Sequence, residues 1–196
     1  MMVSRIVNSF YQSCTWVLDG VGIVDCGDVE PLLPLLLETG LQGVLLTHGH
    51  YDHIYGLNNL CTRFPEAKVY CSPWTRRQLL DEKLNISFYH EMPFVFAFPE
   101  RIVTVEDGWR TDLGSGNEVR AIYTPGHTPD CITWMTNKAL FTGDAYIPGY
   151  KVVTRLPYGN KQQATKSIEM ILSLAEGRTI CPGHNIDDIH VPNIKL

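Results

Sequence analysis

Apolar residues come along this chain in short runs, most of them closed by a turn signal, with amphipathic stretches of helical length between some of them. Cys14-Thr15-Trp16-Val17-Leu18 reads as a strand, Asp19-Gly20 as a turn, and Val21-Gly22-Ile23-Val24-Asp25 as the returning strand of a hairpin closed by Cys26-Gly27-Asp28. A helix is expected over Glu30 to Thr39, with Asp28 as its N-cap and Gly40 just past its end. Gly43-Val44-Leu45-Leu46 reads as a buried strand, and a second helix is expected over Ile54 to Phe64, where Gly56 would let another backbone come close. Val69-Tyr70-Cys71 is a strand, after which Ser72 and Pro73 open a third helix running to about Glu82. Strands follow at Ile102 to Val105, between the turns at 107–108 and 114–117, at Val119 to Tyr123, and in a hairpin of Cys131 to Met135 with Ala139 to Thr142. Lys161 to Ala175 predicts an amphipathic helix with Ala164, Ile168, Ile171, Leu172 and Ala175 on its apolar face and Asn160 as its cap. Arg178 to Cys181 is the last strand.

Residues 83–100 follow neither period. Leu84, Ile86, Phe88, Tyr89, His90, Met92, Phe94, Phe96 and Phe98 are interleaved with Pro93 and Pro99. Such a segment fits a wall over a substrate pocket, a dimer contact or the core of an inserted loop. His90 lies outside any metal-ligand spacing and reads as structural.

Composition narrows the class. The 196 residues suit a single domain spanning 1–196, and the 44% hydrophobic and 19% charged fractions are those of a globular protein. A net charge of −5 without a basic stripe argues against a nucleic-acid partner, and two divalent ions would neutralise most of it. The six cysteines are scattered without a C-x-x-C pair, so they read as reduced thiols in a cytoplasmic protein. No apolar run approaches the roughly 18 residues of a membrane helix, and the first ten residues lack the core of a signal peptide.

The chemistry is concentrated in Thr47-His48-Gly49-His50-Tyr51-Asp52-His53, an H-x-H-x-D-H pattern at the end of a strand. His48 and His50 fall on one side of an extended backbone and can offer two imidazoles to one ion. Asp52 and His53 come as the chain curves onward and suit a neighbouring ion. Turns ordinarily favour Gly, Asn, Asp and Pro, not three histidines. His127, Asp144 and His184 each follow a short apolar strand and a Pro-Gly or Thr-Gly turn, so the same delivery recurs along the chain. Asp25 and Asp28 fit either groups behind the metal site or turn and cap residues, and the second assignment is preferred.

These motifs, with Thr124-Pro125-Gly126-His127-Thr128-Pro129, Thr142-Gly143-Asp144 and Pro182-Gly183-His184, resemble those of the metallo-β-lactamase superfamily and, within it, glyoxalase II-like hydrolases. The resemblance runs from about residue 13 to 186. It implies an α/β fold, a four-layer αββα sandwich of two mixed sheets flanked by helices. It implies that His48, His50 and His127 hold one divalent ion, that Asp52, His53 and His184 hold a second, and that Asp144 bridges them. Zinc is the first expectation, with iron or manganese as alternatives. The implied activity is hydrolysis of a small thioester, ester or lactone through a metal-bridging hydroxide, with Asp52 helping to manage its proton. The alternative is a mononuclear iron persulfide dioxygenase, whose family is similar to glyoxalase II, and a phosphodiesterase ranks behind both.

Some positions depart from that pattern. The chain ends twelve residues after His184, leaving no room for the helical domain that grips glutathione in full-length glyoxalase II-like enzymes, so glutathione thioesters are less favoured. Asp130 stands where glycine is usual, and only the turn is expected to change. Tyr146, just after Asp144, is a candidate hydrogen-bond donor to substrate or a plain loop aromatic. Lys151, Arg155 and Lys161 could meet an anionic substrate but read as solvated charge. The expected partner is a small molecule, with neither nucleic acid nor membrane, and a homo-oligomer stays open.

Overall fold

Side chains of successive strand residues point to opposite faces, and here the two faces feed separate cores. On β2 (Cys14–Leu18), β3 (Gly22–Val24) and β4 (Gly43–Leu45), Val17, Ile23 and Val44 enter one core while Leu18, Val24 and Leu45 enter another. This computed structural model describes residues 2–19, 21–36, 40–114 and 116–185. Together with β1 (Val3–Val7), β5 (Lys68–Cys71) and β6 (Ile102–Thr104), those strands form a six-stranded sheet in the order β1-β2-β3-β4-β5-β6. Its first three strands pair antiparallel and the rest parallel. The second sheet runs β11-β10-β9-β8-β7, built from β7 (Arg110–Asp112), β8 (Glu118–Tyr123), β9 (Ile132–Met135), β10 (Ala139–Gly143) and β11 (Thr179–Pro182). Only its β10–β11 pair is parallel.

Three cores make four layers. The outer face of the first sheet packs Val17, Ile23, Val44 and Val69 on Leu36 of α1 (Leu33–Leu36), Leu57 and Leu60 of α2 (Leu57–Arg63) and Leu79 of α3 (Pro73–Leu79). The inner faces meet through Leu45 and Val105 on one side and Trp134, Ile132 and Phe141 on the other. Beyond the second sheet, Leu140 packs against Ile171 of α4 (Lys161–Leu174). The result is the expected αββα sandwich of two mixed sheets. The six cysteines are buried free thiols, and among the described residues no helix is long and apolar enough to cross a membrane.

Several local expectations are corrected. The helix expected over 30–39 opens as a 3-10 turn at Glu30–Leu32, where Leu33 N bonds the Glu30 carbonyl because Pro34 has no N–H to make the α-helical bond to it, and continues as α-helix over Leu33–Leu36; residues 37–39 lie outside the described residues, as do Gly20, Ser115 and 186–196 of the expected turns and tail. Asp28 caps no helix. Its carboxylate accepts from Ser9 N, Ser9 Oγ and the Tyr55 hydroxyl, clamping the β1–β2 loop. The second helix begins at Leu57, after a 3-10 turn over Tyr51–His53. The third stops at Leu79, and Asp81 accepts from the N–H groups of Lys83 and Leu84 in the turn beyond it. Ser72 and Asn160 do cap their helices, accepting from Thr75 N and Gln163 N. On α4 the buried residues are Ala164, Ser167 and Ile171, whereas Leu172 is exposed. Asp130 does more than shape a turn: its Oδ2 accepts from Trp74 N and ties the second sheet's loop to the start of α3.

The segment over 83–100 divides between two of its expected roles. Phe94 and Phe96 are buried in the first core, and the Asn85 amide pins the segment by donating to the carbonyls of Gln78 and Phe94. Ile86, Tyr89 and His90 face a cavity described below.

Among the described glycines Gly56 permits the tightest backbone approach: a Cβ there would lie 1.8 Å from the Gly27 carbonyl oxygen. Gly56→Ala is therefore expected to destabilise the protein by about 1–3 kcal/mol. Thermal unfolding should show this as a fall in Tm of roughly 2–4 °C per kcal/mol; an unchanged Tm would show that the 27–56 contact relaxes freely.

Candidate metal centre

Four strand ends deliver polar residues to one end of the sandwich. Residues 47–53 leave β4, Thr124 to His127 leave β8, Asp144 follows β10 and His184 follows β11. Main-chain bonds hold these ends together: across the two sheets Ile132 N donates to Thr47 O at 2.8 Å and Cys14 N to Gly183 O at 2.7 Å, and within the second Gly183 N donates to Gly143 O at 2.9 Å. At Gly126, with φ +136°, a Cβ would meet Ala164 N at 2.3 Å, so only glycine lets the His127 loop sit on the first turn of α4.

All seven expected ligands converge. His48, His50 and His127 form one group, His48, His53 and Asp144 a second, and Asp52, His53 and His184 a third, with the ligand atoms of each group within 4.8 Å of one another. The groups share His48 and His53, so they form one continuous cluster.

Hydrogen bonds on the far side of each ring decide which nitrogen faces inward. His127 Nδ1 lies 2.8 Å from the Val153 carbonyl and His184 Nδ1 lies 3.0 Å from the Tyr11 carbonyl. A carbonyl can only accept, so each Nδ1 carries a proton and each Nε2 presents its lone pair to the cluster. His53 Nδ1 donates to Asp25 Oδ2 at 3.0 Å. Thr47 Oγ1 gives its own proton to Asp25 Oδ2 at 2.8 Å, and so accepts from His48 Nδ1 at 3.1 Å. Four imidazoles thus direct Nε2 inward, whereas His50 brings Nδ1 within 2.9 Å of His127 Nε2. Asp25, buried and also accepting from Thr47 N, orients two of these rings. It belongs behind the site, contrary to the preferred expectation of a turn residue.

Charge divides the cluster. Burial, then the neighbouring His53, His50 and His127, drives His48 well below the ordinary imidazole range, and burial and His127 hold His50 down at about 3. Both stay neutral, the form that binds a metal. Burial would also lower His53 and His184, but for His53 the charges of Asp52 and Asp144 prevail and raise it, while hydrogen bonds to Asp144 and Asp52 raise His184 to about 10. Asp52 and Asp144 are held below the usual carboxylate range despite burial, chiefly by His53 and His184. A cation at this end would take the place of those protons.

The donors fit such a cation. His48 Nε2, His53 Nε2 and Asp144 Oδ1 are buried with no hydrogen-bond partner, and the last two face each other across 3.4 Å without bonding. Each unpartnered buried group costs about 1–3 kcal/mol, and shared coordination of cations would satisfy all three.

Two chambers open over the cluster and meet at Tyr11, Asp144 and Val153. One, of about 420 Å³, reaches His50, Asp52 and His127; the other, of about 410 Å³, reaches His184 and is lined by Gln12, Ile147, Tyr150, Lys151 and Asn185. Arg155, with Lys151, lines a separate surface pocket, and Lys161 begins α4. Tyr146 lines neither chamber. It packs half-buried on the α4 core, and its carbonyl accepts from Thr142 Oγ1, which holds the turn carrying Asp144. The chamber residues Phe10, Tyr11 and Val153 drew no notice in the sequence; the only signal was an aromatic pair between two strands.

A family model described as the metallo-beta-lactamase superfamily matches residues 15–184. The chain is 30% identical over 188 residues to a hydroxyacylglutathione hydrolase from Enterobacter sp. (strain 638), covering 91% of this chain and 64% of that protein's length. It is similar to the crystal structure of BLEG-1, a B3 metallo-beta-lactamase, with 29% identity, coverage of 94% and 92%, and a TM-score of 0.82. ETHE1 from Myxococcus xanthus shares the fold at 23% identity, with coverage of 96% and 78% and a TM-score of 0.73.

Asp25→Asn tests the orienting network. The amide can accept from Thr47 N only by turning its NH2 towards His53 Nδ1, which would move that ring's proton to Nε2 and cost the cluster a lone pair. Metal affinity should fall about 10–100-fold, read by chelator competition, while circular dichroism keeps its folded form. Unchanged affinity would show that His53 is oriented without Asp25.

Proposed function

The chain belongs to the metallo-beta-lactamase superfamily, and we propose that it is a dinuclear metal-dependent hydrolase of small thioesters, esters or lactones. The observation that supports this most is the convergence of seven donors beneath an open cavity, with Asp144 among them. His48, His50 and His127 would hold one ion, Asp52, His53 and His184 the other, and Asp144 would serve both. Imidazole and carboxylate donors suit zinc, and also iron or manganese. When bound, such a pair of ions supplies Lewis acidity and a water nucleophile at neutral pH.

The chain's own residues do the remaining work. The carbonyls of Val153 and Tyr11, with Asp25 and Thr47, keep four Nε2 lone pairs aimed inward before any substrate arrives. Asp52, ionised and lining the cavity, is placed to take the proton from an attacking water. Tyr11 and Val153 flank Asp144 where the chambers meet, placed to contact a substrate that spans both. The name of the Enterobacter relative favours a thioester, although the chain spans less than two thirds of that protein.

Elemental analysis of the purified protein should find about two ions per chain. His48→Ala and Asp144→Ala should each lower kcat/KM by more than about a hundredfold, beyond the loss typical of groups that only orient a ligand, with the folded circular dichroism spectrum kept. Full hydrolytic activity in metal-free protein would overturn the reading. About one iron per chain, with oxygen uptake on a persulfide, would replace it with the dioxygenase alternative.

A further inference from the structure

The two chambers differ in chemistry. The chamber over His50 and His127 is walled by Phe10, Tyr11, Tyr51, Ile86, Tyr89 and Leu156, and among the described residues no lysine or arginine lines it. Its carboxylates, Asp52 and Asp144, belong to the donor cluster, so beyond the cluster an anionic acyl terminus would be desolvated with no lysine or arginine to pair with. The chamber over His184 carries Lys151 with the polar side chains of Gln12 and Asn185.

The aromatic wall is interlocked. Phe10 sets its edge against Tyr51 at 5.4 Å and His90 at 5.0 Å, and Tyr51 stacks on His90 at 4.6 Å. Two wall residues are held where side-chain-bearing residues seldom sit, Tyr11 at φ +51° and Ile86 at φ +65°. For a β-branched residue such as Ile86 the left-handed region is a genuine outlier. Backbone strain of this kind persists where the surrounding structure imposes it and clusters at ligand clamps. Here it turns an aromatic ring and an aliphatic side chain towards the same space.

We propose that the aromatic chamber is the acyl subsite and that it selects a neutral, apolar acyl group, an alkyl chain of medium length or an aryl group, over a short or anionic one. This rests on the hydrolase reading above. A scissile carbonyl at the donor cluster leaves its acyl side to extend past His50 and His127 into the apolar space. The departing alcohol or thiol, which gains negative charge as its bond to the carbonyl carbon breaks, lies towards Lys151.

The test compares acetyl, butanoyl, hexanoyl, phenylacetyl and succinyl esters and thioesters sharing one leaving group, on metal-loaded protein. In parallel, ketones with the same acyl chains, a CH2 replacing the ester oxygen, are titrated against both metal-loaded and metal-free protein. The expected result is a kcat/KM that rises about three- to fourfold per added methylene up to hexanoyl, with succinyl at least about tenfold below butanoyl and the same order in ketone affinities. Ile86→Asn places a residue that favours positive φ at the strained site, so its Tm should hold or rise while the hexanoyl-to-acetyl ratio falls at least about threefold. Tyr89→Ser, at an exposed ring, should lower the same ratio. Hydrolysis with a flat or inverted acyl profile would overturn the subsite and leave the hydrolase standing. Ketone binding in the expected order without turnover of any ester or thioester would support the subsite and overturn the hydrolase. Ketones bound without preference would overturn the subsite whatever the turnover.

Discussion

One buried carboxylate organises much of this protein. Asp25 directly follows β3 of the first sheet with φ +57° and accepts from Thr47 N, Thr47 Oγ1 and His53 Nδ1. Through Thr47 it also sets the ring of His48. The two histidines so oriented are the ones shared between the three donor groups. A single side chain from the first hairpin therefore fixes the protons of the residues joining the two halves of the cluster. The parallel pairing of β3 with β4 brings Asp25 beside Thr47, so sheet register and ring orientation depend on each other.

The cluster has an electrostatic gradient that follows from this frame. His48 and His50 are buried and lie among other imidazoles, which together penalise a positive charge on either. His53 and His184 lie against Asp52 and Asp144, which favour it. One end is neutral and the other holds paired charges. A buried carboxylate pair is costly without cations nearby, which is a physical reason for the imidazoles to be packed around it.

The strands, and the donor residues just past their ends, were legible in the sequence, whereas the four-layer sandwich was what the resemblance of the motifs implied. Apolar runs ending in a turn read as strands, and His48, His127, Asp144 and His184 each stand just beyond one. Asp25 was visible as a residue but not as a partner, since its contacts cross 22 and 28 positions of chain. Asp28 and Asp130 were misread for a related reason: a carboxylate next to a turn looks local, whereas these bind Tyr55 and Trp74 from distant segments. The 3-10 opening of the first helix reflects Pro34, which has no N–H to make the α-helical bond to the Glu30 carbonyl. The chambers were hidden because their walls come from residues 10–12, 86–90 and 147–156, which share no motif.

The bond from His184 to the carbonyl of Tyr11 separates two demands on one residue. The main chain at position 11 orients a metal-ligand candidate, while the side chain of the same residue stands between the chambers. Because every amino acid carries that carbonyl, the side chain is free to vary without surrendering the orienting bond, provided the replacement tolerates the left-handed backbone. Descendants of this chain could exchange one set of substrates for another here by single codon changes, with the reactive centre inherited unaltered.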